Sequence, residues 1–283
     1  MKAFDQPLNA KVLPRALLLE LLLANDGQPL LVSRAVAAGA LFDISANHLR
    51  VALARLSAQS LVQAAGRGAW VLGPAARELA HDVARWRGAA QRMRADNGQY
   101  VAVHCAHLGR GDRTQIRQRE RALRMLGFAP LHRDLWLRPD NIEADVAAVR
   151  ARLYTLGLES DALVCGCHDL DAATQVRVRQ LWDASALDAG YRKTIDRLQA
   201  WQRQAPQLAI DRAARESFLL GSAAIRQLVY DPLLPASWVD APLRSRFIAA
   251  VQDFDATGRA LWQRLFDGLP TSQARTAAHA RAA

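Results

Sequence analysis

The sequence has little cysteine, no long apolar run and none of the glycine fingerprints that mark a nucleotide-binding enzyme. Its three cysteines, Cys105, Cys165 and Cys167, make no paired framework. That excludes a disulfide-stapled secreted scaffold and points to a reducing cytoplasm. The longest apolar stretch, Ala16–Ala24, is interrupted by Glu20 and falls well short of the ~20 residues a membrane span needs. The opening residues carry no secretory signal pattern. A P-loop and a dinucleotide-binding glycine motif are both missing, and His81, His132 and His279 stand apart from any nucleophile or carboxylate constellation. These absences argue against an enzyme and against a cofactor, and they describe a cytoplasmic protein.

What is present is a large apolar fraction and a basic balance. Of 283 residues, 51% are hydrophobic, enough to bury the cores of two or three domains. The formal net charge is +10, of which +6 falls in residues 1–95, +1 in 96–180 and +3 in 181–283. The excess is densest toward the N-terminus, where attraction to phosphates would require it if that region meets nucleic acid.

The stretch Ser33–Leu72 organises the rest. Ser33 is a plausible cap for a helix over Arg34–Ala40, Phe42-Asp43-Ile44 makes a turn, and Ser45 caps a second helix reaching about Ser57. On that second helix Leu49, Ala52, Leu53 and Leu56 recur at helical spacing and should face a core. This leaves Asn47, His48, Arg50, Val51, Ala54 and Arg55 outward. Asn and Arg can pair two-pronged with adenine and guanine edges, and small residues between them let a helix approach a groove wall. Leu61–Ala64 and Ala69–Leu72 then flank Ala65-Gly66-Arg67-Gly68, a hairpin with a basic tip at Arg67. Helix, turn, helix and hairpin predict an N-terminal winged helix-turn-helix whose partner is double-stranded DNA. The competing readings are a winged helix used only for protein contacts and a fortuitous three-helix core.

Around this stretch, Met1–Val12 reads as a loose arm and Leu13–Ala24 as a first helix, apolar nearly all round. Gly73-Pro74 breaks the chain, and Ala75–Met93 reads as one long connector helix with Leu79, Val83, Trp86 and Ala90 on a core stripe. From Asp96 the period changes. Gln99–His107 alternates as a strand, Arg113–Gly127 reads as a helix, Phe128–Arg133 and Leu135–Arg138 as strands, Ile142–Leu156 as a helix and Ala162–His168 as a last strand. That order is ferredoxin-like, a sheet with helices on one face. Helices follow over about Ala173–Trp182, Leu187–Gln202, Arg212–Val229 and Leu243–Phe266, with a rigid turn at Asp231–Pro235. Thr271–Ala283 reads as a disordered tail. The expected fold is therefore α+β and mostly helical. Its parts are a winged helix-turn-helix domain (1–73), a connector helix (74–95), a ferredoxin-like middle domain (96–172), a helical C-terminal domain (173–270) and a tail (271–283).

Further groupings carry two readings each. Arg113, Arg117, Arg121 and Arg124 line one side of a helix. They are candidates to bind the phosphates of an effector or to extend a DNA footprint, against a solvated face with Glu120 as partner. Cys165, Cys167 and His168 on one strand face His104, Cys105 and His107 on its expected neighbour. The spacing is not that of a metal motif, and cysteine is a common small core residue, so no metal is expected. Trp182, Tyr191, Trp201, Trp238 and Trp262 should anchor cores, with one or two available to line an effector pocket. The rival from another class is metal-dependent phosphodiester cleavage on the ferredoxin-like domain, as in nucleases of the CRISPR adaptation machinery. It needs a carboxylate ending the first strand of that domain, for which Asp112 is the near candidate.

Five ordered segments also resemble a known family. They are Leu49-Arg50-Val51-Ala52-Leu53-Ala54-Arg55-Leu56, Gly66-Arg67 with Trp70, Leu126-Gly127-Phe128, Leu181-Trp182-Asp183 through Leu187 and Tyr191, and Leu234-Pro235 with Trp238. Along nearly its whole length the chain resembles the PaaX-type transcriptional repressors of phenylacetate degradation. The resemblance implies a homodimeric winged-helix repressor that leaves its operator when an aromatic acyl-coenzyme A thioester binds. Val51 and Ala54 stand where hydroxyl residues are common in that family, which implies a different operator. Asp96-Asn97-Gly98-Gln99-Tyr100 replaces a Trp-Asp-Gly-x-Trp stretch, which marks a divergent member.

Overall fold

The structure, a computed structural model, describes residues 11–269. The expected loose arm up to residue 10, the tail from Thr271 and His279 lie outside them. The described residues form an α+β fold, mostly helical, with two small antiparallel sheets. No helix among them is long and apolar enough to cross a membrane. They divide into two units: residues 11–73, 201–222 and 253–269 make one, and residues 74–200 and 223–252 make the other. Helices α8 (Ala184–Gln204), α9 (Ile210–Val229) and α10 (Ala241–Asp267) contribute to both. The stretch 173–270, expected as one helical domain, is thus shared out.

The first unit opens with α1 (Pro14–Ala24), where Pro14 sits at the start and its missing N–H costs nothing. Then come β1 (Leu30–Leu31), α2 (Val32–Ala40), α3 (Ala46–Ala58), β2 (Val62–Ala64) and β3 (Ala69–Leu72). Leu17, Leu18, Leu21 and Leu22 of α1 interdigitate with Ala35 and Ala38 of α2 and with Leu49, Leu53 and Leu56 of α3. Phe218 and Leu219 of α9 and Trp262 and Phe266 of α10 join the same core, with Phe42 and Phe218 rings 5.2 Å apart. The sheet order is β1-β3-β2. The two-residue strand β1 pairs Leu30 with Trp70 and Leu31 with Ala69. It is too short to announce itself by alternation.

Helix α2 does not use Ser33 as its cap. It starts two residues earlier than expected, at Val32, after an extended Leu31 that offers no side-chain acceptor. The Val32 N–H donates to the Gly68 carbonyl at 2.8 Å instead. A carbonyl of the hairpin therefore serves one of the N–H groups that a helix start leaves unpaired.

The second unit contains α4 (Pro74–Ala84), β4 (Tyr100–His104), α5 (Arg113–Met125), β5 (Ala129–His132), β6 (Leu135–Pro139), α6 (Val146–Thr155), β7 (Leu163–Cys167) and α7 (Ala172–Arg179). Its strands run in the order β5-β6-β4-β7, all antiparallel. Both faces of this sheet are buried, not one. Tyr100, Ala102 and Leu137 pack with Val178 of α7 and with Trp182 and Trp238, while Val101, Val103 and Val164 on the other face are also buried.

Two expected helices are shorter than their sequences imply, for one reason. The connector helix stops at Ala84, and tight turns follow at Arg85–Gly88 and Ala90–Arg92. Ala90 is exposed while Trp86 is buried, so the single core stripe does not persist. Helix α6 starts at Val146, capped by Asp145, rather than at Ile142. The intervening backbones pair with each other. Arg94 N–H reaches Asn141 O at 2.7 Å, Glu143 N–H reaches Arg92 O at 3.0 Å, and Met93 bridges Ile142.

Candidate nucleic-acid interface

Helix α3 is fixed at its start by Ser45, whose hydroxyl accepts the His48 N–H at 3.3 Å. Each residue turns the helix by about 100°. The sequence therefore deals Leu49, Ala52, Leu53 and Leu56 to one side and Arg50, Ala54, Asn47, Val51, Arg55 and His48 to the other. The three leucines are buried and all six of the second group are exposed. Between Ser33 and Leu72 the sequence holds a single acidic residue, Asp43, in the turn before α3. The open face of α3 thus presents one amide, one imidazole, two guanidiniums and two small side chains, without a carboxylate.

The hairpin tip follows from its glycines. Gly66 (φ 123°) and Gly68 (φ 71°) adopt left-handed backbone that other residues reach only with strain. Ala65 N–H then closes on Ala69 O at 2.9 Å. Arg67 stands between them, exposed. The structure places all seven expected DNA-facing residues in one unit, at the surface.

The arginine row of α5 does not survive as one open face. Arg113 and Arg117 are exposed. Arg121 is half-buried and donates to the Leu156 carbonyl at 3.4 Å, and Arg124 pairs with Glu120 at 3.2 Å. Helix α5 turns its intermediate positions toward α6, which a count of charges along one side could not reveal. Asp112 caps α5, accepting from Thr114 N–H at 2.7 Å and Gln115 N–H at 3.3 Å; it does not end strand β4.

Strand register separates the cysteine and histidine residues. Cys165 pairs with Ala102 and Cys167 with Tyr100, while His104 lies opposite Leu163. No group of three metal-ligating side chains forms among the described residues. Burial raises the Cys105 thiol to about 11 and also raises that of Cys167.

The aromatic residues serve as core anchors with polar handles. Tyr191 stacks on Phe247 at 4.9 Å and donates its hydroxyl to Asp231 at 2.6 Å. Trp201 donates to Glu216 at 2.9 Å, and Trp182 donates to Gly127 O at 3.2 Å while meeting Trp238 edge-on. Asp231 is buried, and desolvation raises its pKa against the help of the Tyr191 hydroxyl and the Leu233 N–H.

Two polar clusters in the second unit escaped the reading of the sequence. Arg138 is buried, donating to Asn141 Oδ1 at 2.9 Å, to Pro139 O at 2.9 Å and to the Leu126 carbonyl. Asn141 in turn donates to Leu233 O at 2.8 Å. Beside it, Glu143 receives one nitrogen from each of three arginines: Arg85 at 2.8 Å, Arg152 at 2.8 Å and Arg92 at 3.3 Å. Burial lowers the pKa of the Arg92 guanidinium, as does repulsion by Arg152, against the attraction of Glu143. The available signal was the dense polar run Arg138-Pro139-Asp140-Asn141-Ile142-Glu143, directly after a strand.

What the folded chain defines at this level is a class: an α+β protein pairing a small helix-and-hairpin unit with a unit built on a four-stranded antiparallel sheet. Neither a protein-family model nor a curated protein matches it. Among solved structures it is similar to the uncharacterized protein Rv0674 from Mycobacterium tuberculosis. The TM-score is 0.58 and the identity 21%, over 89% of this chain and 98% of that one. A likeness at that identity is one of fold.

Proposed function

We propose that this chain is a DNA-binding transcriptional regulator of the ligand-responsive kind. In this reading the α2–turn–α3 pair with its hairpin is a winged helix-turn-helix, and α3 is the recognition helix that enters the major groove. Asn47, Arg50 and Arg55 read base edges. His48, Val51 and Ala54 complete the contact face, and Arg67 in the wing holds the adjacent backbone or minor groove. The observation that carries it is the exposed, carboxylate-free side of α3, set by a capped helix whose other side is core.

The remaining parts follow the resemblance to PaaX-type repressors. The β5-β6-β4-β7 order agrees with a ferredoxin-like domain. A homodimer would set two recognition helices one helical turn of DNA apart, about 34–36 Å. Repression would be relieved by a small acidic effector of the acyl-coenzyme A type, whose differential affinity for two conformations shifts the operator-binding state.

The test is binding of the purified protein to DNA from upstream of its own coding sequence, against random DNA, over a salt series. We expect one short two-fold symmetric site to be preferred. Arg50→Ala should cost about 1–3 kcal/mol on that site and far less on random DNA. Equal losses on both would remove Arg50 as a base reader, and the lack of any preferred site would sink the regulator.

A further inference from the structure

The cluster around Glu143 opens onto a cleft of about 550 Å³ between α4 and α6, a size typical of small-molecule sites. One wall is α4 and the turn after it, which supply Arg77, His81 and Arg85 at successive helical turns. The other is α6, which supplies Ala148, Ala151, Arg152 and Thr155, with Glu143 at the base. Arg152 and Glu143 are largely enclosed, with 7% and 10% of their side chains exposed, while Arg85 at 35% stands nearer the mouth.

Among the described residues that line the cleft, the guanidiniums of Arg77, Arg85 and Arg152 stand against the single carboxylate of Glu143. Guanidinium groups match phosphate oxygens with parallel N–H donors. Glu143 pairs with Arg85 at 2.8 Å, which fixes that guanidinium before a ligand arrives. The small residues Ala148 and Ala151 leave room for an incoming group against α6.

We propose that the cleft between α4 and α6 is a binding site for a small ligand carrying a phosphate or diphosphate group, gripped by Arg77 and Arg85. The site is distinct from the α3 face, and its test uses no DNA, so it can fail or stand independently of the regulator.

The measurement is calorimetric titration of the full-length protein with sodium pyrophosphate at low ionic strength. A saturable site with about one pyrophosphate per chain is expected. Arg77→Ala, at an exposed helical position, should weaken it about tenfold, the loss of a hydrogen bond between charged groups. Circular dichroism melts should show that variant still folded. The Arg113→Ala/Arg117→Ala double variant, which removes two exposed arginines of α5, should bind within twofold of the parent. Absence of saturable binding, full affinity in Arg77→Ala, or an equal loss in the α5 double variant would each overturn the site.

Discussion

At Glu143 a left-handed backbone (φ 59°) and a carboxylate facing three guanidiniums coincide. Few residues other than glycine keep such a φ without compensation, and here the ion cluster supplies it. Burial alone would raise the pKa of this carboxyl. Arg152, Arg85 and Arg92 overcome that and hold it below the usual carboxylate range. A carboxyl whose pKa is depressed by folding adds stability that is complete above its unfolded value, about 4.3. That stability is lost as pH falls through the folded pKa. Glu143→Gln removes the anion and leaves the arginines facing one another. It should destabilise the protein by roughly 3 kcal/mol at pH 7, read by urea unfolding. The gap to the parent should begin to shrink as pH drops below about 4.3, where the unfolded chain starts to take up the proton, and should close as the pH falls through the lower folded pKa. A gap that stays constant down to pH 3 would assign the loss to packing and not to charge.

At the scale of elements, the starts of α2 and α3 offer a paired test. Ser45 caps α3 through its hydroxyl, while Ser33 sits inside the first turn of α2 and is exposed. Ser45→Ala should therefore cost about 1 kcal/mol. Ser33→Ala should stay within ~0.5 kcal/mol, the usual range for a surface substitution. Both are measured by the same denaturant melts, and equal costs would show that the two helices start alike. The contrast also marks what the sequence could tell. The exposed face of α3 was legible because a cap, a leucine period and two glycines in the hairpin are all local signals. The start of α2 was not, since its first N–H is satisfied by Gly68, distant along the chain. The ends of the connector helix and the start of α6 were hidden likewise, because residues 92–94 pair with 141–143. Arg138 and Asn141 find partners at Pro232 and Leu233, 94 and 92 residues away. The arginine row on α5 divides for the same reason: Arg121 turns to a carbonyl 35 residues on. Spacing along one helix cannot show which neighbour will supply that acceptor.

For the whole molecule the question is whether a net charge of +10 would hold DNA by itself. A diffuse positive field attracts any polyanion, and such binding weakens with salt in proportion to the phosphates neutralised, by about 0.9 in the logarithmic slope for each. If contact is confined to the α3 face and the hairpin, only arginines of that unit should affect the slope. Arg67→Ala should then flatten it by about one on specific and random DNA alike. The Arg113→Ala/Arg117→Ala double variant removes twice the charge, from exposed positions on α5, and should leave the slope as it was. Fluorescence anisotropy with a labelled duplex between about 50 and 200 mM salt, the range over which phosphate contacts lose most of their affinity, separates the cases. A slope flattened as much by the α5 pair as by Arg67→Ala would mean that DNA is held by overall charge, and the open side of α3 would then need another partner.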